Sequence, residues 1–290
     1  MARNAQKSLA IFVVIAALVA LAGCPRPEEN ITGSNHRLDI AKDFLAKHEL
    51  EAAEGECNKA IALNASNDEA YLMRGLVAMV RAVDTQRTIE IDGCLTGVDA
   101  EATHKDLDTN LAKADADFEA ALKLAPDYGE ALADRGVVHN LLGEFDVAVG
   151  LLTRALENPM RLQNAALTRA HLGWALFHEK KYVEAAKELR QVLQFQPKMC
   201  VASYRLARVY FAREEWEKAA ELFQTVSDDP SCKLQESSYY LMKTRIQQGL
   251  VAEAKQARDA CLKLSPASCV AAQCKTEGKA ESAAPSGGTP

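Results

Sequence analysis

Residues 171–197 read HLGWALFHEKKYVEAAKELRQVLQFQP, and three of them, Gly173, Ala185 and Pro197, decide the fold. They stand twelve residues apart. Two helices that cross closely need small side chains where their backbones approach, and a proline beyond the second helix ends it before the next begins. The triplet recurs as Gly136, Ala148, Pro159 and as Ala207, Ala219, Pro230, while Met242, Ala254, Pro266 keeps the spacing with a bulkier first residue. Upstream, Ala41 and Ala53 repeat the pair, and Gly75 opens a copy whose second helix carries Ala114, Phe118, Ala121 and Pro126. Leu152, Leu172, Leu206, Phe223 and Leu241 supply the larger knobs of each crossing.

The copies start near residues 34, 68, 129, 166, 200 and 235, so every interval but the second is close to 34. That period resembles the tetratricopeptide repeat, a helical hairpin that stacks on its neighbours. The resemblance implies an all-α, right-handed superhelical solenoid of about six hairpins plus a short C-terminal cap, spanning residues 34–275. The long second interval is an insertion over 83–105, where Thr88-Ile89-Glu90-Ile91, Gly93, Cys94 and Gly97 shift the composition toward loop or strand. Residues 276–290 are rich in Ala, Ser, Gly and Pro without apolar periodicity, which predicts a disordered tail.

The chain has 290 residues, 48% of them apolar, and a formal charge of −6. An acidic chain lacks the positive field that non-specific nucleic-acid binding needs, so nucleic acid is excluded as a partner class. At the N-terminus Arg3 and Lys7 precede an apolar run from Leu9 to Ala22, too short for a comfortable span and right for a signal peptide. The run ends Leu21-Ala22-Gly23-Cys24, which resembles a bacterial lipobox. The resemblance implies removal of residues 1–23, a covalent lipid on Cys24, a tether over 24–33 and a mature charge of −8. Pro25 rather than Asp after the lipidated cysteine implies sorting to the outer membrane, facing the periplasm.

Export makes disulfides the expectation for the seven remaining cysteines. Cys200 opens one first helix and Cys232 lies just before the next, which predicts that pair. Cys94 in the insertion is placed opposite Cys57, and Cys261 is placed with Cys274 or Cys269 around the cap. No Cys-x-x-Cys pair and only scattered histidines leave no metal site expected. Catalytic signatures are missing too: there is no Gly-x-Ser-x-Gly, phosphate-binding Gly-rich loop or zincin motif. His139, His171 and His178 have no adjacent nucleophile and read as packing residues. The expectation is a binding protein with no enzymatic activity, no cofactor and no small-molecule substrate.

In tetratricopeptide arrays the first helix of each repeat lines the concave groove through its second, fifth, ninth and twelfth positions. The resemblance places Trp174, Phe177, Tyr204, Arg208, Phe211 and Tyr239 there. Trp, Tyr and Arg are the side chains that dominate binding hot spots. With the lipobox, the six repeats, His171-Leu172-Gly173-Trp174-Ala175-Leu176 and Gln196-Pro197-Lys198-Met199-Cys200, the chain resembles the pilotins of type IV pilus secretins, the Tgl, PilF and PilW group. That resemblance implies a lipid-anchored scaffold that holds secretin subunits and promotes their oligomerisation in the outer membrane. The alternative is an NlpI-like lipoprotein adaptor that scaffolds cell-wall hydrolases.

Overall fold

The computed structural model describes residues 30–280, and within them the chain is a succession of thirteen α-helices with no strand. They pair as hairpins: α1 (Ile31–Ala46) with α2 (Leu50–Leu63), α3 (Asp68–Arg87) with α4 (Val98–Leu124), and α5 (Gly129–Leu142) with α6 (Phe145–Glu157). Then α7 (Ala165–His178) pairs with α8 (Tyr182–Phe195), α9 (Cys200–Ala212) with α10 (Trp216–Asp228), and α11 (Gln235–Gln247) with α12 (Val251–Leu264). A last helix, α13 (Cys269–Ala280), caps the stack.

The small residues sit where the crossings are tightest. A Cβ added to Gly173 would lie 2.7 Å from Leu189 Cγ, and one added to Gly136 would lie 2.6 Å from Leu152 Cγ. Ala148, Ala185 and Ala219 are fully buried on the facing helices, with Leu152, Leu189 and Phe223 filling the space between. Met242, the bulky exception, is buried as well.

Five of the six hairpins turn on one left-handed residue, and these keep the repeat register: His48, Gly143, Lys180, Glu214 and Gly249 all have φ between 59° and 77°. The residue after each donates its N–H back to the helix, for example Lys181 to Leu176 O at 2.9 Å and Leu250 to Arg245 O at 2.8 Å. This bond is the signature of a helix end closed by a left-handed residue. The corresponding position of the second hairpin is Ala82, a strong helix former that is fully buried. No turn forms there, and α3 runs on to Arg87.

The insertion is therefore mostly helix, which corrects the expectation of a loop or strand. After α3 the chain makes a π-helical turn over Thr88–Asp92, and α4 is 27 residues long. The overrun carries the π-helical turn to the opposite end of the molecule. There Cys94 is disulfide-bonded to Cys269 at the start of α13, and Ser265 Oγ donates to Ile91 O at 3.0 Å. Ile89 is buried in the same region. The second hairpin and the cap thus close the superhelix on itself across 175 residues of chain. A cavity of about 430 Å³ lies beside the closure, lined by Ile91, Asp92, Gln235, Leu264 and Val270 among others.

The body is slightly longer than the sequence boundaries of 34 and 275. Asn30 caps α1 by accepting from Gly33 N at 2.7 Å, and α13 continues to Ala280. The signal peptide, Cys24, most of the tether and residues 281–290 lie outside the described residues.

Candidate partner-binding groove

First helices of successive hairpins touch one another directly, α1 with α3, α3 with α5, α5 with α7, α7 with α9 and α9 with α11. Second helices make no comparable contact with each other. A stack that is tight along one row of helices and splayed along the other must curve, with the tight row inside. The first helices therefore line the concave face.

Five of the six residues expected in the groove are half-buried, and four of them meet in one cluster. Trp174 stacks with Phe177 at 5.2 Å between ring centroids and lies 6.4 Å from Tyr204. Arg208 reaches into this group: its guanidinium is 5.5 Å from the Trp174 ring, 5.3 Å from Phe177, and donates to Tyr204 Oη at 2.8 Å. Phe211 meets Trp216 and Tyr240 edge-on at 5.2 and 5.4 Å, closer to the second helix than to the centre of the cluster. Tyr239 is a correction. It is buried beneath α13, where its hydroxyl donates to Glu277 Oε1 at 2.6 Å while Lys243 pairs with Glu277 at 3.3 Å. The cap covers that part of the groove.

Two members of the cluster were not among the expected positions. Tyr240 stacks on Arg208 at 3.9 Å, and Arg205 lies 5.5 Å from the Trp174 ring. Both occupy the sixth position of their helices, three residues before the ninth, and residues three apart share a helix face. The helical period itself carried that signal.

The electrostatics of this face are unusual. Arg205 and Arg208 lie one turn apart with no carboxylate within 4 Å of either among the described residues. Arg205 Nη1 has no hydrogen-bond partner, and Nη2 donates to His171 Nδ1 at 3.4 Å. A guanidinium only donates, so the proton of His171 belongs on Nε2. Burial first, and then repulsion from Arg205, hold His171 down to about 3, which keeps it neutral. Burial also lowers Arg205 to about 10 and raises the Tyr204 hydroxyl to about 12. Two first helices away on α5, Asp134 shows the opposite sign of the same condition. Its Oδ2 is buried without a partner, and burial, reinforced by Glu130, raises it to about 7.

The three histidines singled out in the sequence are engaged in local packing and pairing. His171 is neutral and half-buried, His139 is held between Asp115 at 3.1 Å and Glu144 at 2.6 Å, and His178 stacks on Phe145 at 4.1 Å.

Three disulfides join six of the seven described cysteines: Cys200 to Cys232, Cys261 to Cys274, and Cys94 to Cys269. The last corrects the pairing of Cys94 with Cys57. Cys57 is free and fully buried between α1, α2 and α3, packed with Leu38, Ala41 and Met73, while the overrun of α3 takes Cys94 away from it. Burial raises the Cys57 thiol to about 12. Asp229 lies close to Cys200 and Cys232, but both sulfurs are committed to their disulfide and offer no thiolate to a metal.

Residues 108–162, 142–199 and 176–230 each match a tetratricopeptide-repeat family. Residues 108–230 thus carry tetratricopeptide repeats, and the helical hairpins on either side continue the same solenoid. No curated protein matches it in sequence. Among solved structures, this solenoid is similar to PilF of Pseudomonas aeruginosa, with a TM-score of 0.63, 13% identity, and 85% of this chain covering 98% of that one. PilW, described as a widely conserved type IV pilus biogenesis factor, gives a TM-score of 0.63 at 17% identity, with 83% of this chain covering 97% of that one. A chain of the APC/C hetero-tetramer Cut9–Hcn1 gives 0.66 at 12% identity, with 93% of this chain covering 45% of that one. At these identities the likeness is one of fold.

Proposed function

We propose that this solenoid is a lipid-anchored pilotin, held on the outer membrane through Cys24, that binds secretin subunits in its concave groove and promotes their oligomerisation for type IV pilus assembly. The observation that carries the reading is the half-buried cluster of Trp174, Phe177, Tyr204 and Arg208 on the concave face. A likeness in fold that spans nearly the whole of two pilus biogenesis proteins supports it. No helix among the described residues is long and apolar enough to cross a membrane, and in this reading the lipid on Cys24 supplies the attachment. A lipoprotein's several acyl chains exceed the two signals that stable anchoring needs.

Trp174→Ala tests the groove. Trp174 sits on the groove face and, unlike Tyr204, does not pack on the Phe223 core. Loss of an aromatic anchor commonly costs about 2 kcal/mol, roughly a thirtyfold weaker complex. The expected result is normal helicity by circular dichroism, wild-type membrane fractionation and a loss of heat-resistant secretin multimers in the same strain. Normal multimers in a folded variant would sink the reading, and soluble Cys24→Ala protein is the matching expectation for the anchor.

A further inference from the structure

The concave face carries ionisable groups of opposite sign without counter-charges, two arginines on α9 and an acid on α5. On α9, Arg205 and Arg208 face the aromatic cluster without a carboxylate, and Arg205 Nη1 lacks any partner. On α5, the carboxylate of Asp134 has an orphaned oxygen, and the charged group that acts on it is another acid, Glu130. Between them α7 contributes the neutral His171 and the Trp174 ring. Elsewhere on this solenoid the buried charges are matched. Arg74 makes a two-pronged pair with Asp117 at 2.6 and 2.9 Å, and Arg135 makes one with Asp115 at 2.7 and 3.3 Å. A buried charge without a counter-charge costs stability, and this fold pairs Arg74 and Arg135 fully yet leaves Arg205 and Asp134 without a partner charge.

We propose that the groove binds an extended segment of a partner protein that carries an acidic side chain and, about six residues away, a basic one, with apolar or aromatic residues between. The acidic side chain lies against Arg205 and Arg208 on α9, the basic one against Asp134 and Glu130 on α5, and the middle crosses Trp174 on α7. The spacing follows from the architecture. Packed helix axes lie roughly 9–10 Å apart, so α5 and α9 are separated by roughly 20 Å. An extended chain advances about 3.3 Å per residue and covers that span in about six. The segment is an internal one because the groove carries charge at both ends of the span, and its side chains must supply both complements. Complementarity of this kind sets the direction in which the segment lies as well as its identity. This proposal rests on the concave groove being the binding face but not on the partner being a secretin.

The test is a random twelve-residue peptide library displayed on phage and selected against the full-length chain, purified in detergent without reductant. The expected outcome is enrichment of sequences with Asp or Glu and Lys or Arg about six residues apart, apolar between, in one order only. Arg208→Gln should remove selection for the acid and leave the base, and Asp134→Asn should do the converse. Synthetic selected peptides with Gln for the acid should lose at least tenfold in affinity for the wild type and nothing for Arg208→Gln. Enrichment of purely apolar sequences, or an unchanged pattern in both folded variants, would overturn the proposal. So would self-association of the chain abolished by the same substitutions, which would make the occupant a second copy. If the charged pattern is selected while Trp174→Ala leaves secretin multimers intact, the segment assignment stands and the pilotin reading falls. If multimers depend on Trp174 but no charged pattern emerges, the reverse holds.

Discussion

Removing the Cys94–Cys269 bond by Cys94→Ser with Cys269→Ser tests how far this solenoid depends on being closed. The bond spans 175 residues, against 32 for Cys200–Cys232 and 13 for Cys261–Cys274. In the chain-entropy treatment a loop of that length contributes about 5 kcal/mol, compared with roughly 4 and 3 for the shorter two. A repeat array is held mainly by contacts between neighbours, so the ends unravel before the middle and the measured loss falls below that ceiling. What remains at the closure after the substitution is the Ser265 hydrogen bond to Ile91 O and the burial of Ile89. Urea unfolding of the non-reduced proteins should show a lower midpoint for the double variant. Hydrogen exchange should accelerate first in α13 and in the Thr88–Asp92 turn, while α7 to α10 stay protected. Small-angle scattering should show a larger radius of gyration as the superhelix opens. An unchanged midpoint with unchanged scattering would refute the reasoning, as would a non-reducing peptide map that links Cys94 to another cysteine.

Two further expectations concern single sites. Gly173→Ala drives a Cβ to 2.7 Å from Leu189 Cγ and should destabilise by about 1–3 kcal/mol in denaturant unfolding, whereas Gly150→Ala, with nothing within 4 Å on an exposed helix face, should stabilise by a few tenths to about 1 kcal/mol. Asp134→Asn should stabilise the protein at high pH and not at low pH. An acid held near 7 when folded, against 3.8 when free, penalises the folded state increasingly from about pH 4 and fully above pH 7. The gain at pH 8 should reach as much as about 4 kcal/mol and vanish near pH 4, and a pH-independent difference would show that Asp134 is not buried as an unpaired acid.

The repeat period was legible because it depends on residues whose size alone matters. Gly136, Gly173, Ala185 and Ala219 sit buried at corresponding crossings of three successive hairpins, Gly136 and Gly173 directly against a leucine. The Cys200–Cys232 pairing was legible for the same reason, since the period places both cysteines at neighbouring helix starts. The insertion is not legible as helix because Thr88-Ile89-Glu90-Ile91 is β-prone in isolation, while its conformation is set by what precedes it. The informative residue was Ala82, fourteen residues after the repeat start, where five other repeats have a left-handed turn. His48, Lys180 and Glu214 hid that register, because a turn residue with a side chain gives no signal in composition. In the groove, Tyr239 was placed correctly on a first helix, but its cover arrives from α13, beyond the last repeat. Arg205 and Tyr240 fall outside the four family positions because a helix presents a continuous face rather than four fixed places.

The overrun of α3 and the closing disulfide are one device. With a turn at Ala82 the second hairpin would end where the others do, and Cys94 would stay beside its own repeat. Because the helix continues, the π-helical turn reaches the N-terminal edge of the sixth hairpin, where Gln235 Nε2 ties α11 to Cys261 O at 2.6 Å and Ser265 O at 2.9 Å. The curvature of the concave face is then set by a covalent bond as well as by nearest-neighbour packing. An open array flexes along its length, and a partner must offset the entropy of straightening or bending it, whereas a closed one presents its surface already shaped. Arg208, Trp174 and Asp134 lie on three successive first helices, all inside the closed span between α3 and α13. Their separations are held by the closure, and a charge pattern spread across three helices can discriminate partners only if those separations do not drift.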